Sequence, residues 1–167
     1  MSRAVLSIGS NLGDALGHLR AATAAFAPWL LSVSPVVQTP PWGPVKQDYF
    51  LNAVLVVSDA HATAEDWLAR SQAVEDAEGR ERTIRWGPRS LDVDVVCVSQ
   101  DGQDVLSDDP VLTLPHPRAA VRAFVLVPWL ALDPAAVLRG VPVAELVERL
   151  PADEVAGIEF RPKLTLT

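Results

Sequence analysis

Residues 3–8 (RAVLSI) are apolar, partly β-branched and end at Gly9, which predicts a first, buried strand. After the turn GSNLGD, Leu12, Leu16, Leu19, Thr23 and Phe26 recur at helical spacing until Pro28 stops them, so an amphipathic helix is expected on the sheet. Residues 31–38 (LSVSPVVQ) and 49–58 (YFLNAVLVVS) read as two strands around the Pro-rich loop TPPWGPVKQD, and Pro35 marks the first as an edge or bulged strand. Thr63 and Asp66 have the spacing of a capping box, EDWLARSQAVEDAE favours helix and Gly79 supplies the stop. The run LDVDVV alternates apolar and acidic residues before turning apolar, which predicts a strand with one polar face and then a hairpin turn at Asp101 and Gly102. A last helix is expected over residues 143–150 (VAELVERL), with Pro142 at its start.

Strand, helix, strand, strand, helix, strand is the order of an α+β fold of the ferredoxin-like sandwich type, an antiparallel sheet with helices packed on one face. A doubly wound parallel sheet is the alternative, but the short connection between the second and third strands leaves no room for a crossover helix. With no internal repeat, linker or low-complexity tail, residues 1–167 are expected to form one domain.

Charge narrows the choice of partner. A net charge of −7 argues against a nucleic-acid binder held by a broad basic surface and against an anionic membrane. Yet Arg80, Arg82, Arg85, Arg89, Arg118 and Arg122 fall close together, so one window of an acidic chain is basic. The lone Cys97, inside VDVVCVS, excludes an internal disulfide framework and reads as a buried, inert thiol. No apolar stretch is long enough for a signal peptide or a spanning helix, and a cytoplasmic protein is expected.

Asp92 and Asp94, two apart on a strand, leave the same face with Cβ atoms roughly 6.5 to 7 Å apart. That spacing suits two Mg²⁺ ions ~3.5 to 4 Å apart, as in two-metal phosphoryl chemistry, and it equally suits an amphipathic strand with its acids in water. The preceding GRERTIRWGPRS shifts the balance, because guanidinium groups grip phosphate oxygens bidentately and Mg²⁺ is held by a few carboxylates plus phosphates. Trp86, Gly87 and Pro88 between the arginines point to a loop folding onto a ligand. His116 stands between two prolines, either as a structural hydrogen-bonder or, given Arg118, Arg122 and Phe124 just after it, facing a ligand. Phe50 and Asn52 share a strand face, where they are core and strand end or a ring and a carboxamide reading a heterocycle. The stiff loop from Thr39 to Pro44 can present backbone donors and acceptors to a flat polar ligand. GSNLGD lacks the Gly-Lys-Ser/Thr end of a phosphate loop and reads better as a tight strand-to-helix turn with Asn11 and Asp14 capping it.

Four blocks, IGSNLGD, TPPWGP followed by FLNAV, GRERTIRWGPRSLDVDVV, and LPHPR with RAFVLVP, occur in an order and spacing that resembles the hydroxymethyldihydropterin pyrophosphokinase family, over about Val5 to Pro134. The resemblance implies transfer of pyrophosphate from ATP to a pterin alcohol in folate biosynthesis, with ATP and hydroxymethyldihydropterin as small-molecule substrates and two Mg²⁺ ions, of which one arrives with ATP; from the charge no nucleic-acid or membrane partner is expected, and the chain is expected to be a monomer. By the same similarity Asp92 and Asp94 would bind metal. Arg80, Arg82 and Arg89 would join them in catalysis. Gln72, Glu75, Arg80, Arg82, Arg85, Trp86, Arg89, Val95, Thr113, His116 and Arg122 would meet the nucleotide, and Thr39, Pro40, Pro41, Trp42, Phe50, Asn52, Asp92 and Phe124 the pterin. Where family members carry a polar His-Glu pair after the HPR block, this chain has Ala120 and Val121. The tail GIEFRPKLTLT matches nothing in the family pattern.

A ferredoxin-like nucleotide-binding or regulatory module and a metal-dependent phosphohydrolase are the rival readings. The first calls for exposed sheet aromatics and a basic face, the second for water in place of the pterin acceptor.

Overall fold

The computed structural model describes residues 1–41, 48–79 and 90–167. In chain order these form β1 (Ser2–Ser10), α1 (Ala15–Phe26), β2 (Leu30–Val33), β3 (Val37–Thr39), β4 (Phe50–Asp59), α2 (Ala64–Ala77), β5 (Asp92–Gln100), β6 (Gln103–Asp104), β7 (Ser107–Asp108), β8 (Thr113–Leu114), α3 (Ala123–Leu132), β9 (Val137–Leu138), β10 (Val141–Pro142), α4 (Val143–Arg149), α5 (Ala152–Ala156) and β11 (Glu159–Phe160). Seven strands make one sheet in the order β11-β3-β4-β1-β5-β6, with β2 also pairing β4, and every pairing is antiparallel. This is the α+β ferredoxin-like sandwich expected from the element order.

The period of two along the central strands sorts side chains into two cores. Ala4, Leu6 and Ile8 of β1, Ala53, Leu55 and Val57 of β4 and Val93 and Val95 of β5 meet Leu19, Ala22 and Phe26 of α1 and Trp67 of α2. Each fully enclosed side chain there contributes about 1.5–3 kcal/mol by leaving water. The opposite parity, Val5, Val54, Val56 and Val96, packs under Ala123, Val125, Leu126 and Trp129 of α3 and Val143 and Leu146 of α4. The first two helices therefore share one face as expected, and the C-terminal helices partly cover the other, a layer beyond the one-sided arrangement. α3 carries no helical periodicity because FVLVPWLAL is apolar all round, as suits a helix enclosed between a sheet and a second helix.

Local signals act where the sequence placed them. Thr63 Oγ1 accepts from Asp66 N–H at 3.1 Å while an Asp66 carboxylate oxygen accepts from Thr63 N–H at 2.8 Å, a complete capping box. Asp14, whose Oδ1 accepts from Gly17 N–H at 3.0 Å, caps α1; Asn11 instead donates from Nδ2 to the Asp48 carbonyl at 3.1 Å. Asp101 and Gly102, at φ 52° and 83°, make the β5–β6 turn. Pro35 splits the expected 31–38 strand into β2 and β3, and Ser34 Oγ takes over the ladder by accepting from Val54 N–H at 2.8 Å. His18 of α1 is half-buried, and its Nδ1 lies 2.8 Å from Glu78 Oε1 just beyond the end of α2.

The C-terminal tail fastens the sheet edge and the first core. β11 pairs with β3 at the sheet edge, Arg161 N–H donates to the Val36 carbonyl at 2.9 Å, and Leu164 and Leu166 pack against the first core. Among the described residues no helix is long and apolar enough to cross a membrane.

Candidate active site

Register places the central residues. Gly9 of β1 pairs with Asn52 of β4 on one side and Asp92 of β5 on the other, and Ser7 pairs with Val54 and Asp94. Asn52, Gly9 and Asp92 thus form one row across three strands, on the face that α3 partly covers, with the outer two roughly 9–10 Å apart at normal strand spacing. A Cβ added to Gly9 would lie 2.5 Å from Asn52 Oδ1, so glycine is needed for the carboxamide to lie across the floor. Asn52 Nδ2 donates to Thr39 Oγ1 at 3.0 Å, and both residues are buried. The bond leaves the Asn52 carbonyl oxygen as the acceptor on the floor.

A β-bulge opens between Val5 and Leu6, whose β5 partners are Cys97 and Val95, leaving Val96 as the extra residue. The Val96 carbonyl accepts from His116 N–H at 2.7 Å and so draws the HPR loop alongside Asp94. His116 Nδ1 accepts from Arg118 N–H at 3.2 Å, which leaves Nε2 to carry the proton of the neutral ring. Burial holds the imidazole below its ordinary value, Arg122 and Arg118 act in the same direction, and Asp94 opposes them. These surroundings favour the neutral ring.

Arg122 stands at the N-terminal boundary of α3, and its Nη1 lies 3.5 Å from Asp94 Oδ2, with the guanidinium carbon 5.5 Å from the Phe124 ring centroid. These residues open on one cavity of about 840 Å³, lined by Thr39, Pro40, Pro41, Phe50, Asn52, Asp92, Asp94, His116, Arg122 and Phe124, all residues singled out in the sequence. Among the described residues, Ser7, Gly9, Arg118, Val121, Ala123, Glu154 and Ile158 also line it. Ser7 and Gly9 were legible only as parts of a buried strand, and Glu154 and Ile158 come from a segment whose place no local pattern shows.

Other expected residues lie elsewhere. Gln72 is exposed on α2 and does not line the cavity. Glu75 is buried, and its Oε2 accepts from Val93 N–H at 3.0 Å, bracing the backbone between Asp92 and Asp94 from behind. The Val95 side chain turns into the first core, so only its backbone is left to meet a ligand on the other face. Thr113 donates to the Asp109 carbonyl at 2.9 Å and lines a separate, smaller cavity of about 240 Å³. Trp42, Arg80, Arg82, Arg85, Trp86 and Arg89 lie outside the described residues, as do Gly87 and Pro88 of the loop expected to fold onto a ligand and residues 43–44 of the stiff loop.

Residues 5–134 match the pattern of the 7,8-dihydro-6-hydroxymethylpterin-pyrophosphokinase (HPPK) family. The chain belongs to this family. The 2-amino-4-hydroxy-6-hydroxymethyldihydropteridine pyrophosphokinase of Mycobacterium bovis is 45% identical over 99% of this chain and 94% of its own length. The protein of the same name from Pseudomonas aeruginosa is 37% identical, with 97% and 98% covered. Among solved structures, a Plasmodium falciparum HPPK-DHPS crystallised with pterin and p-hydrobenzoate superposes with a TM-score of 0.65 at 12% identity, over 95% of this chain. The chain spans 47% of that longer polypeptide, and at this identity the likeness shows the fold alone. The family pattern ends at residue 134, so α4, α5 and β11 lie beyond it.

Proposed function

We propose that the 840 Å³ cavity is where this pyrophosphokinase assembles its reactants, with Mg-ATP along Asp92, Asp94, His116 and Arg122 and the pterin between Phe50 and Phe124. The activity is that of the family: the chain is a diphosphotransferase that moves pyrophosphate from ATP to the hydroxymethyl group of 6-hydroxymethyl-7,8-dihydropterin, releasing AMP, in folate biosynthesis. The observation that carries the placement is the opening of a carboxylate pair and an aromatic-carboxamide pocket into the same space.

The donor set fits magnesium. Asp92 and Asp94 offer oxygen ligands on one face at an open cavity, and Mg²⁺ is commonly held by one or two carboxylates, waters and the substrate's phosphates. Among the described residues no cluster of three or more His, Cys, Asp and Glu could cage a metal by itself, in keeping with ions that take most of their ligands from nucleotide and solvent. We assign two ions, one arriving with ATP; when bound they offset the charge that builds on the phosphoryl oxygens.

The chain's own residues position and neutralise. Asn52 Oδ1, fixed by Thr39, accepts from the donor edge of the pterin, and Phe50 and Phe124 sandwich its ring. His116 Nε2–H and Arg122 donate to phosphate oxygens, and Arg80, Arg82, Arg85, Arg89 and Trp86 are assigned to the nucleotide on the family resemblance alone. The pterin hydroxyl attacks the β-phosphorus in line, the bond from that phosphorus to the oxygen bridging the α-phosphate breaks, and AMP departs with that oxygen. We further assign a single domain over 1–167, a monomer and a cytoplasmic location, and, on the net charge of −7, no nucleic-acid or anionic-membrane partner.

Product analysis tests the reading. Mg-ATP should yield AMP only when the pterin alcohol is present. Inorganic phosphate without acceptor would point to a hydrolase, and nucleotide binding without turnover to a binding module.

A further inference from the structure

The C-terminal segment forms a wall of the acceptor pocket. β11 pairs with β3 through Glu159 to Gln38 and Phe160 to Val37, the β3 residues that lead directly into Thr39 and the TPP loop. Arg161 holds the same edge twice, through its N–H to the Val36 carbonyl at 2.9 Å and its guanidinium to Gln38 Oε1. Gly157 sits against Pro40, whose Cγ lies 3.6 Å from where a Cβ would stand. This clamp delivers Glu154 and Ile158 into the cavity beside Thr39, Pro40 and Asn52.

Asn52 gives one Nδ2 hydrogen to Thr39 and has a single acceptor, its carbonyl oxygen, whereas a 2-amino-4-oxo heterocycle carries adjacent ring N–H and exocyclic amine donors along one edge. We infer that Glu154 is a specificity-determining residue of the acceptor site, its carboxylate accepting from the amino-bearing edge of the heterocycle, with Ile158 as the apolar wall beneath it. This rests on the pterin reading above. Glu154 is exposed at the cavity mouth, so its carboxylate stays hydrated until a ligand displaces water. A hydrogen bond to a charged acceptor is stronger than a neutral one, and it favours an amine donor over an oxo group at the same position.

The test is calorimetry on the full-length chain with Mg²⁺, titrating the pterin alcohol, its 2-oxo (lumazine-type) counterpart and a non-cleavable ATP analogue separately. Glu154→Gln should weaken the amino ligand roughly tenfold, reduce discrimination against the 2-oxo ligand and leave nucleotide affinity unchanged. Ile158→Ala should weaken both pteridines alike. Unchanged pterin affinity in E154Q, equal losses for pterin and nucleotide, or undiminished discrimination would each overturn the assignment while the pterin reading stands. Failure of the wild type to bind the pterin alcohol would overturn both.

Discussion

The Asn52 carboxamide is bonded to the Thr39 hydroxyl at 3.0 Å, and its free oxygen lies where a side chain at Gly9 would have to go. Three strands therefore agree on one rotamer. Gly9→Ala should displace the carboxamide, since neither the Thr39 bond nor the strand backbone yields easily, and destabilise the fold by about 1–3 kcal/mol. Pterin affinity should fall while ATP-analogue affinity holds. Unchanged pterin binding in a folded G9A chain would show that Asn52 does not read the ligand.

Asp94 lies on the polar face of β5, outside both cores. Asp94→Ala should lower pyrophosphate transfer by at least about a hundredfold and leave the thermal midpoint nearly unchanged. Near-wild-type turnover at saturating Mg²⁺ would remove it from the metal site.

Phe50 is half-buried at the start of β4 and lines the cavity, where a core residue would be enclosed. Phe50→Ala should weaken the pterin by about tenfold or more through lost stacking and leave nucleotide affinity close to wild type. Equal losses for both ligands would indicate a packing role.

The capping box predicts an acid limb in stability. Hydrogen bonds from Thr63, first its backbone N–H and then its side chain, hold Asp66 below its ordinary value of 3.8. A carboxylate depressed in the folded state contributes stability above its unfolded pKa and loses it as pH falls through the folded value. Asp66→Asn should therefore lower the melting temperature at pH 7, and the gap should close progressively below about pH 3.8. A gap independent of pH would deny the carboxylate any part in the cap.

Burial pushes the Cys97 thiol up to about 12, with Asp104 adding to the shift. At pH 8 the native protein should react with a thiol-specific disulfide reagent at least about a hundredfold more slowly than the urea-unfolded chain. Equal rates would place the thiolate in solvent.

The chain's local chemistry is legible where a residue acts on its neighbours in sequence. The Thr63–Asp66 box, the Asp101–Gly102 turn, the alternation that turns Asp92 and Asp94 to one face and the interruption at Pro35 all follow from spacings of a few residues, because capping, turn geometry and strand parity are local. The resemblance in four blocks added the activity, which no single spacing carried.

Tertiary structure alone decided what crosses the chain. α3 has no amphipathic period to read, because it is enclosed and needs no polar stripe. Glu75 turns to the Val93 backbone, Val95 falls in the core opposite Asp92 and Asp94, and the bulge at Val96 brings His116 to Asp94. Glu154 and Ile158 reach the pocket because β11 adds a strand beside β3, more than a hundred residues away in sequence. Such contacts depend on long-range pairing between strand edges, whose backbone donors and acceptors are the same for every sequence, so the partner is chosen by the packed whole.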